Sequence, residues 1–283
     1  MTNYRVSIVI PTRNGAATLP AVLDAIWKQR APPGGQVETI AIDSGSTDGT
    51  LEILKGKVHH VIPILPHTFD HGLTRNIGIM QARGEFVVML VQDAVPASDT
   101  WLEALIAPLL ADTRVAGTFA RQQPAPGASG TARRNLKRWV ASGERALTQM
   151  VTDERELDLL TPMQRLKRCA FDNVCSCIRR SVWIEHPFRS APIAEDLQWA
   201  HEVLLAGYTL AFVPEAVVFH SHDRSPWYEF KRTRALHRRL FELFQLETVP
   251  SVPHLCLSIG TTFLAHLWYE RSSPARVPRA AAL

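Results

Sequence analysis

The chain alternates short apolar runs with stretches whose apolar residues recur three or four positions apart. Residues 6–10, 37–42, 61–65, 86–91 and 116–119 are compact runs rich in Val, Ile and Phe, bounded by turn residues, and they read as buried strands. Between them, Leu19, Leu23 and Ile26 recur at helical spacing, as do residues 51–55, 73–82 and the stretch from Ser98-Asp99 to residue 110. Thr18 is the expected N-cap of the first helix, Asp48 or Thr50 the start of the second, and Ser98-Asp99 the cap of the fourth. Strands alternating with helices predict an open parallel sheet with helices on its faces.

The pattern changes after residue 121. Residues 122–131 are rich in Pro, Gly, Ala and Ser and read as a loop, and residues up to 168 read as helical and basic without a clear core face. A strand returns at 174–178, a helix at 197–206 is closed by Gly207, and two short strands follow at 210–213 and 216–219. Residues 227–245 are amphipathic, with Phe230, Leu236, Leu240, Leu243 and Phe244 set against Lys231, Arg232, Arg234, Arg238 and Arg239. The apolar segment 252–268 contains Pro253, His254, Gly260 and His266 and is short for a span of about 20 residues, so it reads as a packing or interfacial segment. No signal peptide opens the chain, and no internal repeat is present.

Composition narrows the class. At 283 residues, 46% hydrophobic and 20% charged, the chain is an ordinary globular protein with a full core. A net charge of +4 does not call for a nucleic-acid partner, and none is expected. Cys169, Cys175, Cys177 and Cys256 do not form a disulfide framework, which favours a reducing cytoplasm and mostly buried thiols. A zinc site from Cys175, Cys177 and His222 has poor ligand spacing.

Candidate chemistry collects where strands end. The first strand runs into Pro11-Thr12-Arg13-Asn14-Gly15, the second into Asp43-Ser44-Gly45-Ser46, and the fourth into Gln92-Asp93-Ala94. Polar residues at strand tips are how an open α/β sheet furnishes a ligand crevice. The small residues of the first two turns let backbone N–H groups approach an anion, although the dinucleotide-fold and P-loop spacings are both missing. Arg75 lies in the first turns of a helix, where a cation opposes the dipole and needs a partner, either a diphosphate or a carboxylate. Asp93 is a candidate ligand for a hard divalent cation. Glu195-Asp196 open a later helix, where plain capping explains them equally well. His220-Ser221-His222 follow a strand, and one of the two rings is expected to enter the crevice.

Taken in order, these motifs resemble the inverting nucleotide-sugar glycosyltransferases of the large second family, which have the GT-A fold, and within them the rhamnosyltransferase branch. The matching stretches are 6–15, 43–50, Phe69-Asp70-His71-Gly72-Leu73-Thr74-Arg75-Asn76, Gly84-Glu85-Phe86 through Gln92-Asp93-Ala94, 173–180, Glu195-Asp196 and His220-Ser221-His222. The resemblance implies a GT-A-type α/β fold, a mostly parallel sheet with flanking helices, plus a basic helical C-terminal appendage. Its domain would span 1–222 with a variable helical acceptor-side insertion at about 122–168, and an amphipathic, membrane-touching tail would span 223–283.

The resemblance also implies roles. Asp43 would contact the nucleobase, with Pro11, Thr12, Arg13 and Ser44 lining the nucleotide pocket. Arg75 would face the nucleotide or its diphosphate, and Gln92 would lie beside it. Asp93 would be the remaining acid of an Asp-x-Asp metal motif, Val91 standing where the first acid would be. His220 or His222 would complete the ligand set for Mg2+ or Mn2+. Asp196, with Glu195 as second choice, would be the catalytic base. The expected partners are a nucleotide-sugar donor (dTDP-rhamnose or a UDP-sugar) and a glycan or lipid-linked acceptor, met in the cytoplasm or at the inner face of the membrane. The competing expectation is a non-catalytic nucleotide-sugar-binding scaffold, for which Val91 is the best support.

Overall fold

A computed structural model describes residues 4–222 and 225–271; the end of the expected tail, 272–283, lies outside the described residues. In chain order the elements are β1 (Tyr4–Thr12), α1 (Leu19–Trp27), β2 (Gln36–Asp43), α2 (Thr50–Leu54), β3 (His60–Pro63), α3 (His71–Gln81), β4 (Phe86–Leu90), β5 (Val95–Pro96), α4 (Trp101–Ala111) and β6 (Val115–Gln123). They continue with α5 (Gly130–Lys137), β7 (Leu147–Gln149), α6 (Glu154–Leu159), α7 (Pro162–Arg168), β8 (Cys175–Arg179), α8 (Arg180–Glu185), α9 (Glu195–Leu205), β9 (Thr209–Phe219), α10 (Pro226–Phe244) and α11 (Val252–Arg271).

All strands join one sheet in the order β3-β2-β1-β4-β8-β6-β9-β5, with β7 pairing on β9. β3, β2, β1 and β4 are mutually parallel. β8 runs against both β4 and β6, so β6 and its parallel neighbour β9 point the same way as β4. The sheet is therefore mostly parallel, as expected. Its one internal departure is that β8, late in the chain, is inserted between β4 and β6. Because β8 is reversed, its N-terminal end lies at the edge where the parallel strands finish.

Alternation along the strands divides the core in two. Ile8, Ile10, Val88 and Leu90 face one side with Leu19, Leu23, Trp101 and Leu105 of α1 and α4. Val9, Ile40, Val87 and Met89 face the other with Ile79 of α3 and Trp199, Val203 and Leu204 of α9. Leu240 and Phe244 of α10 are buried in this second cluster, so the amphipathic tail helix packs onto the sheet domain.

Several local expectations are corrected. The two late strands are one, β9, which passes Pro214-Glu215-Ala216 as a bulge opposite the Ala120–Arg121 step of β6. Thr18 does not cap α1, because its own backbone is helical and its hydroxyl donates to the Gly15 carbonyl instead. The position before α4 is Thr100, and Asp99 is committed to Arg30. Of the two starts expected for α2, the structure uses Thr50: Gly49 before it takes the left-handed backbone, and Asp48 accepts from Thr50 N–H at 3.2 Å.

Candidate active site

The ends of β1 and β2 build a cradle that is satisfied from within. Asp43 Oδ1 accepts the N–H groups of Gly45 and Ser46 at 3.0 and 2.9 Å, while Oδ2 accepts the hydroxyls of Thr12 at 3.1 Å and Ser46 at 2.5 Å. An ionised carboxylate offers about four acceptor positions, and here all are used. Gly45 permits the turn by taking φ +80°, a conformation costly for other residues. Ser44 is buried with its hydroxyl on the Thr12 carbonyl at 3.0 Å. Asn14, itself at φ 47°, accepts from Thr47 N–H, and Asp48 accepts from Ala16 N–H. Pro11 is half-buried, and the Arg13 side chain is exposed.

Gln92 ties this cradle to the tip of β4. Its Oε1 accepts from Arg13 N–H at 2.9 Å and its Nε2 donates to the Arg13 carbonyl at 3.0 Å. The close approach requires Gly15, since a Cβ there would lie 2.5 Å from Gln92 Oε1. Val91 donates its N–H to the Val174 carbonyl and packs at the edge of the first core cluster.

Beside Gln92, Asp93 meets both histidines. The two rings follow the end of β9 at positions two apart, the spacing that puts side chains on one side of an extended chain, and both turn toward the same carboxylate, so the expectation of a single ring is corrected. His220 Nε2 lies 3.7 Å from Asp93 Oδ1, His222 Nδ1 lies 3.3 Å from Oδ2, and the two Nε2 atoms are 3.0 Å apart. Ligand atoms of the three residues all fall within 4.8 Å of one another. A carboxylate and two imidazoles in that space form a donor set that a divalent cation fits, the mixture of oxygen and nitrogen suiting Mn2+ better than Mg2+.

An acid cluster lies along the same edge. Arg75, on α3, is buried and paired with Glu195 at 3.0 Å, and its Nη1 also donates to the His71 carbonyl at 2.8 Å. Of the two partners considered for Arg75, the structure supplies the carboxylate, in a buried pair. The guanidinium Nε, also buried, has no hydrogen-bond partner among the described residues. Burial by itself pushes the Glu195 carboxyl up, but Arg75, His71 and Asn173 bring it below the ordinary value. Asp196 accepts from Asn173 N–H at 3.1 Å and from Leu197 N–H at 2.8 Å. Burial first, then the charges of Glu195 and Asp172, push its carboxyl well above the ordinary aspartate value. The strained start of α9, with Ala194 at φ 60°, sets these two acids side by side.

Asp172 belongs to this cluster and was not anticipated. It accepts from Val174 N–H at 2.9 Å and from Trp139 Nε1 and Gln122 Nε2 at 2.6 Å each. Burial, with Glu195 adding to it, raises its carboxyl against the pull of those three donors. The signal lay in Asp172-Asn173 standing directly before a strand. It carries meaning only once β8 is known to be reversed, which brings a residue before the strand to the crevice edge. Asn173 donates to Glu195 Oε1 at 3.2 Å, joining the acids.

Residues 7–174 match the family model for glycosyl transferase family 2. The chain belongs to that family. It is 33% identical to the O-antigen chain rhamnosyltransferase WbaN of Salmonella anatum over 236 residues, which cover 80% of this chain and 69% of WbaN. It is 31% identical to the O-antigen chain rhamnosyltransferase RfbN of Salmonella typhimurium, over 81% of this chain and 70% of that one. Among solved structures, the mannosyltransferase PcManGT of Pyrobaculum calidifontis, in complex with GDP-Man and Mn2+, superposes with a TM-score of 0.62 at 20% identity, covering 94% of this chain and 72% of that one. Glucosyl-3-phosphoglycerate synthase of Mycobacterium tuberculosis, in complex with Mn2+, UDP and glucosyl-3-phosphoglycerate, superposes with a TM-score of 0.60 at 19% identity, covering 86% of this chain and 81% of that one. The fold is that of the GT-A glycosyltransferases, and this family-2 chain is a glycosyltransferase enzyme; the scaffold alternative is not favoured. Cys175 and Cys177 are buried in the core with their thiols pushed far up by desolvation, and they take no part in the site.

Proposed function

We propose that this glycosyltransferase moves L-rhamnose from a nucleoside-diphosphate donor to a hydroxyl of a glycan or glycolipid acceptor, with inversion at the sugar carbon. The rhamnosyltransferase relatives support the choice of sugar. The observation that carries the mechanism is Asp196, a carboxylate with raised basicity at the start of α9 on the crevice edge. It takes the proton of the acceptor hydroxyl as that oxygen attacks the anomeric carbon and the bond to the diphosphate breaks. One base with a stabilised leaving group on the far side gives inversion by direct displacement.

Asp93, His220 and His222 would hold a divalent cation, Mn2+ ahead of Mg2+, which supplies charge neutralisation for the departing diphosphate. Arg75 adds a cation whose buried Nε–H lacks an acceptor that a phosphate oxygen would provide. Pro11, Thr12, Arg13 and Ser44 would line the nucleotide side. Direct recognition of a base by Asp43 requires the Ser46 hydroxyl to rotate away first, because no acceptor position on that carboxylate is open.

The test is Asp196→Asn. Transfer should fall by about 10²–10⁴-fold, while nucleotide-diphosphate binding measured by calorimetry stays unchanged. Transfer at the normal rate would show the base to be misassigned.

We also propose contact with an anionic membrane surface, consistent with a lipid-linked acceptor on the cytoplasmic side. No helix among the described residues is long and apolar enough to cross a membrane. α11 nevertheless leaves Val252, Leu257, Ile259, Phe263, Leu264 and Trp268 exposed, and it packs along α5, which carries Arg133, Arg134 and Lys137. Apolar side chains beside cations suit a lipid interface. The chain should co-sediment with phosphatidylglycerol vesicles at low salt and not with neutral ones; equal behaviour in both removes the idea.

A further inference from the structure

β6 ends in a polar rail that no sequence motif marked. Gln122 is 4% exposed, Gln123 accepts from His220 N–H at 2.8 Å, and Ala125 N–H donates to the Ser221 hydroxyl at 3.2 Å. The two outer groups fix the backbone of the histidine segment. Gln122 acts on a ring.

The orientation of the Gln122 amide follows from its neighbours. Its nitrogen meets Asp172 Oδ2, an oxygen that already accepts from the Trp139 indole, so the NH2 end belongs there. Its Oε1 therefore faces His220 Nδ1 at 2.9 Å, and that nitrogen must carry the ring proton. In a neutral imidazole Nε2 is then the lone-pair nitrogen, and Nε2 is the atom directed at His222 and Asp93.

We propose that Gln122 is a positioning residue for cation binding: held by Asp172, it fixes the His220 tautomer and ring plane so that Nε2 presents its lone pair to the Asp93–His222 pair. The inference rests on the cation site proposed above and adds the element that orients one ligand of it. Partners behind a metal-ligating histidine set its tautomer and basicity, and their loss typically costs about 10–100-fold in metal affinity or activity. The same path has a second end. Trp139, which lies in the acceptor-side segment, shares the Asp172 oxygen with Gln122, so that segment and the cation site are braced by one carboxylate.

The experiment uses the full chain without donor or acceptor. Mn2+ affinity is read by electron paramagnetic resonance, and the His220 tautomer by long-range nitrogen–proton correlation on metal-free protein labelled at histidine. Wild type should show the proton on Nδ1. Gln122→Leu should lose that preference and bind Mn2+ about 10–100-fold more weakly, with an unchanged circular dichroism spectrum. Should Gln122→Leu not fold, Asp172→Leu removes the acceptor that orients the amide and should shift both readouts in the same direction. Wild-type Mn2+ affinity in a folded Gln122→Leu or Asp172→Leu protein overturns the proposal while sparing the cation site. A wild-type protein that binds no Mn2+ overturns the cation reading itself, and with it this role for Gln122.

Discussion

Two halves of the crevice edge use their carboxylates in opposite ways. On the β1–β2 side, Asp43 has both oxygens filled by neutral donors of its own turn and of Thr12. On the β8–α9 side, Glu195 is paired with the buried Arg75, Asp196 and Asp172 stand beside it, and Asp196 is driven far from its ordinary basicity. The first arrangement is finished before any ligand arrives and serves as a shape. The second is held in tension, because burial and neighbouring acids favour a proton on Asp196. A rigid cradle beside a poised acid cluster is what transfer from a bound donor to an incoming hydroxyl requires.

The largest effect should come from breaking the poised side. Glu195→Ala leaves Arg75 as a buried uncompensated charge and should cost about 3–5 kcal/mol in chemical unfolding. The double variant Arg75→Met, Glu195→Met should recover most of that stability, since a well-packed apolar pair can replace a buried ion pair, yet transfer should stay lost. If Glu195→Ala unfolds like wild type, the pair is not the electrostatic anchor described here.

Breaking the finished side should cost less and should do so through shape. Asp43→Ala strips the acceptors from two backbone N–H groups and two hydroxyls, a loss of about 2–3 kcal/mol. With that turn as the proposed floor of the nucleotide pocket, nucleotide affinity should fall with it. Ser46→Ala separates the two roles of Asp43: it opens one position on the carboxylate, so a base that binds there should bind more tightly. Unchanged nucleotide affinity in both variants would remove Asp43 from the nucleotide side.

How far the sequence discloses this contrast follows from the range of the interactions. The cradle is partly local: Asp43 and Ser46 are close in the chain and the strand-tip pattern marks both turns, while Thr12 meets Asp43 across the parallel β1–β2 pair that the strand runs predict. The parallel block β3-β2-β1-β4 was legible for the same reason, through strand runs separated by helical spacing. The poised side depends on pairings that no local pattern contains. Arg75 and Glu195 stand far apart in sequence and meet only because α3 and α9 pack on the same face of the sheet. Asp172 reaches the edge only because β8 enters the sheet reversed. The histidine pair is the more legible part of that side, since positions 220 and 222 stand two apart, the spacing that puts both side chains on one side of an extended chain.

The smallest effect, and the one that reads the tension most directly, is in pH. The folded Asp196 carboxyl is raised, so between its ordinary value and its folded value the native state holds a proton that the unfolded chain has released. Its contribution to stability is complete below the ordinary aspartate value and is lost as pH rises through the folded value. Glu195, lowered, works the other way: its contribution is present above the ordinary glutamate value and is lost as pH falls through the folded one. Asp196→Asn should therefore flatten the decline in melting temperature on the rising-pH side and leave the acid-side decline in place. In the proposed mechanism the same group sets the rate. Since the base acts ionised, wild-type kcat/KM should climb about tenfold per pH unit up to an apparent pKa well above that of an ordinary aspartate. An acid limb at the ordinary aspartate value would mean that Asp196 is not held in tension, and the contrast between the two halves of the crevice would dissolve.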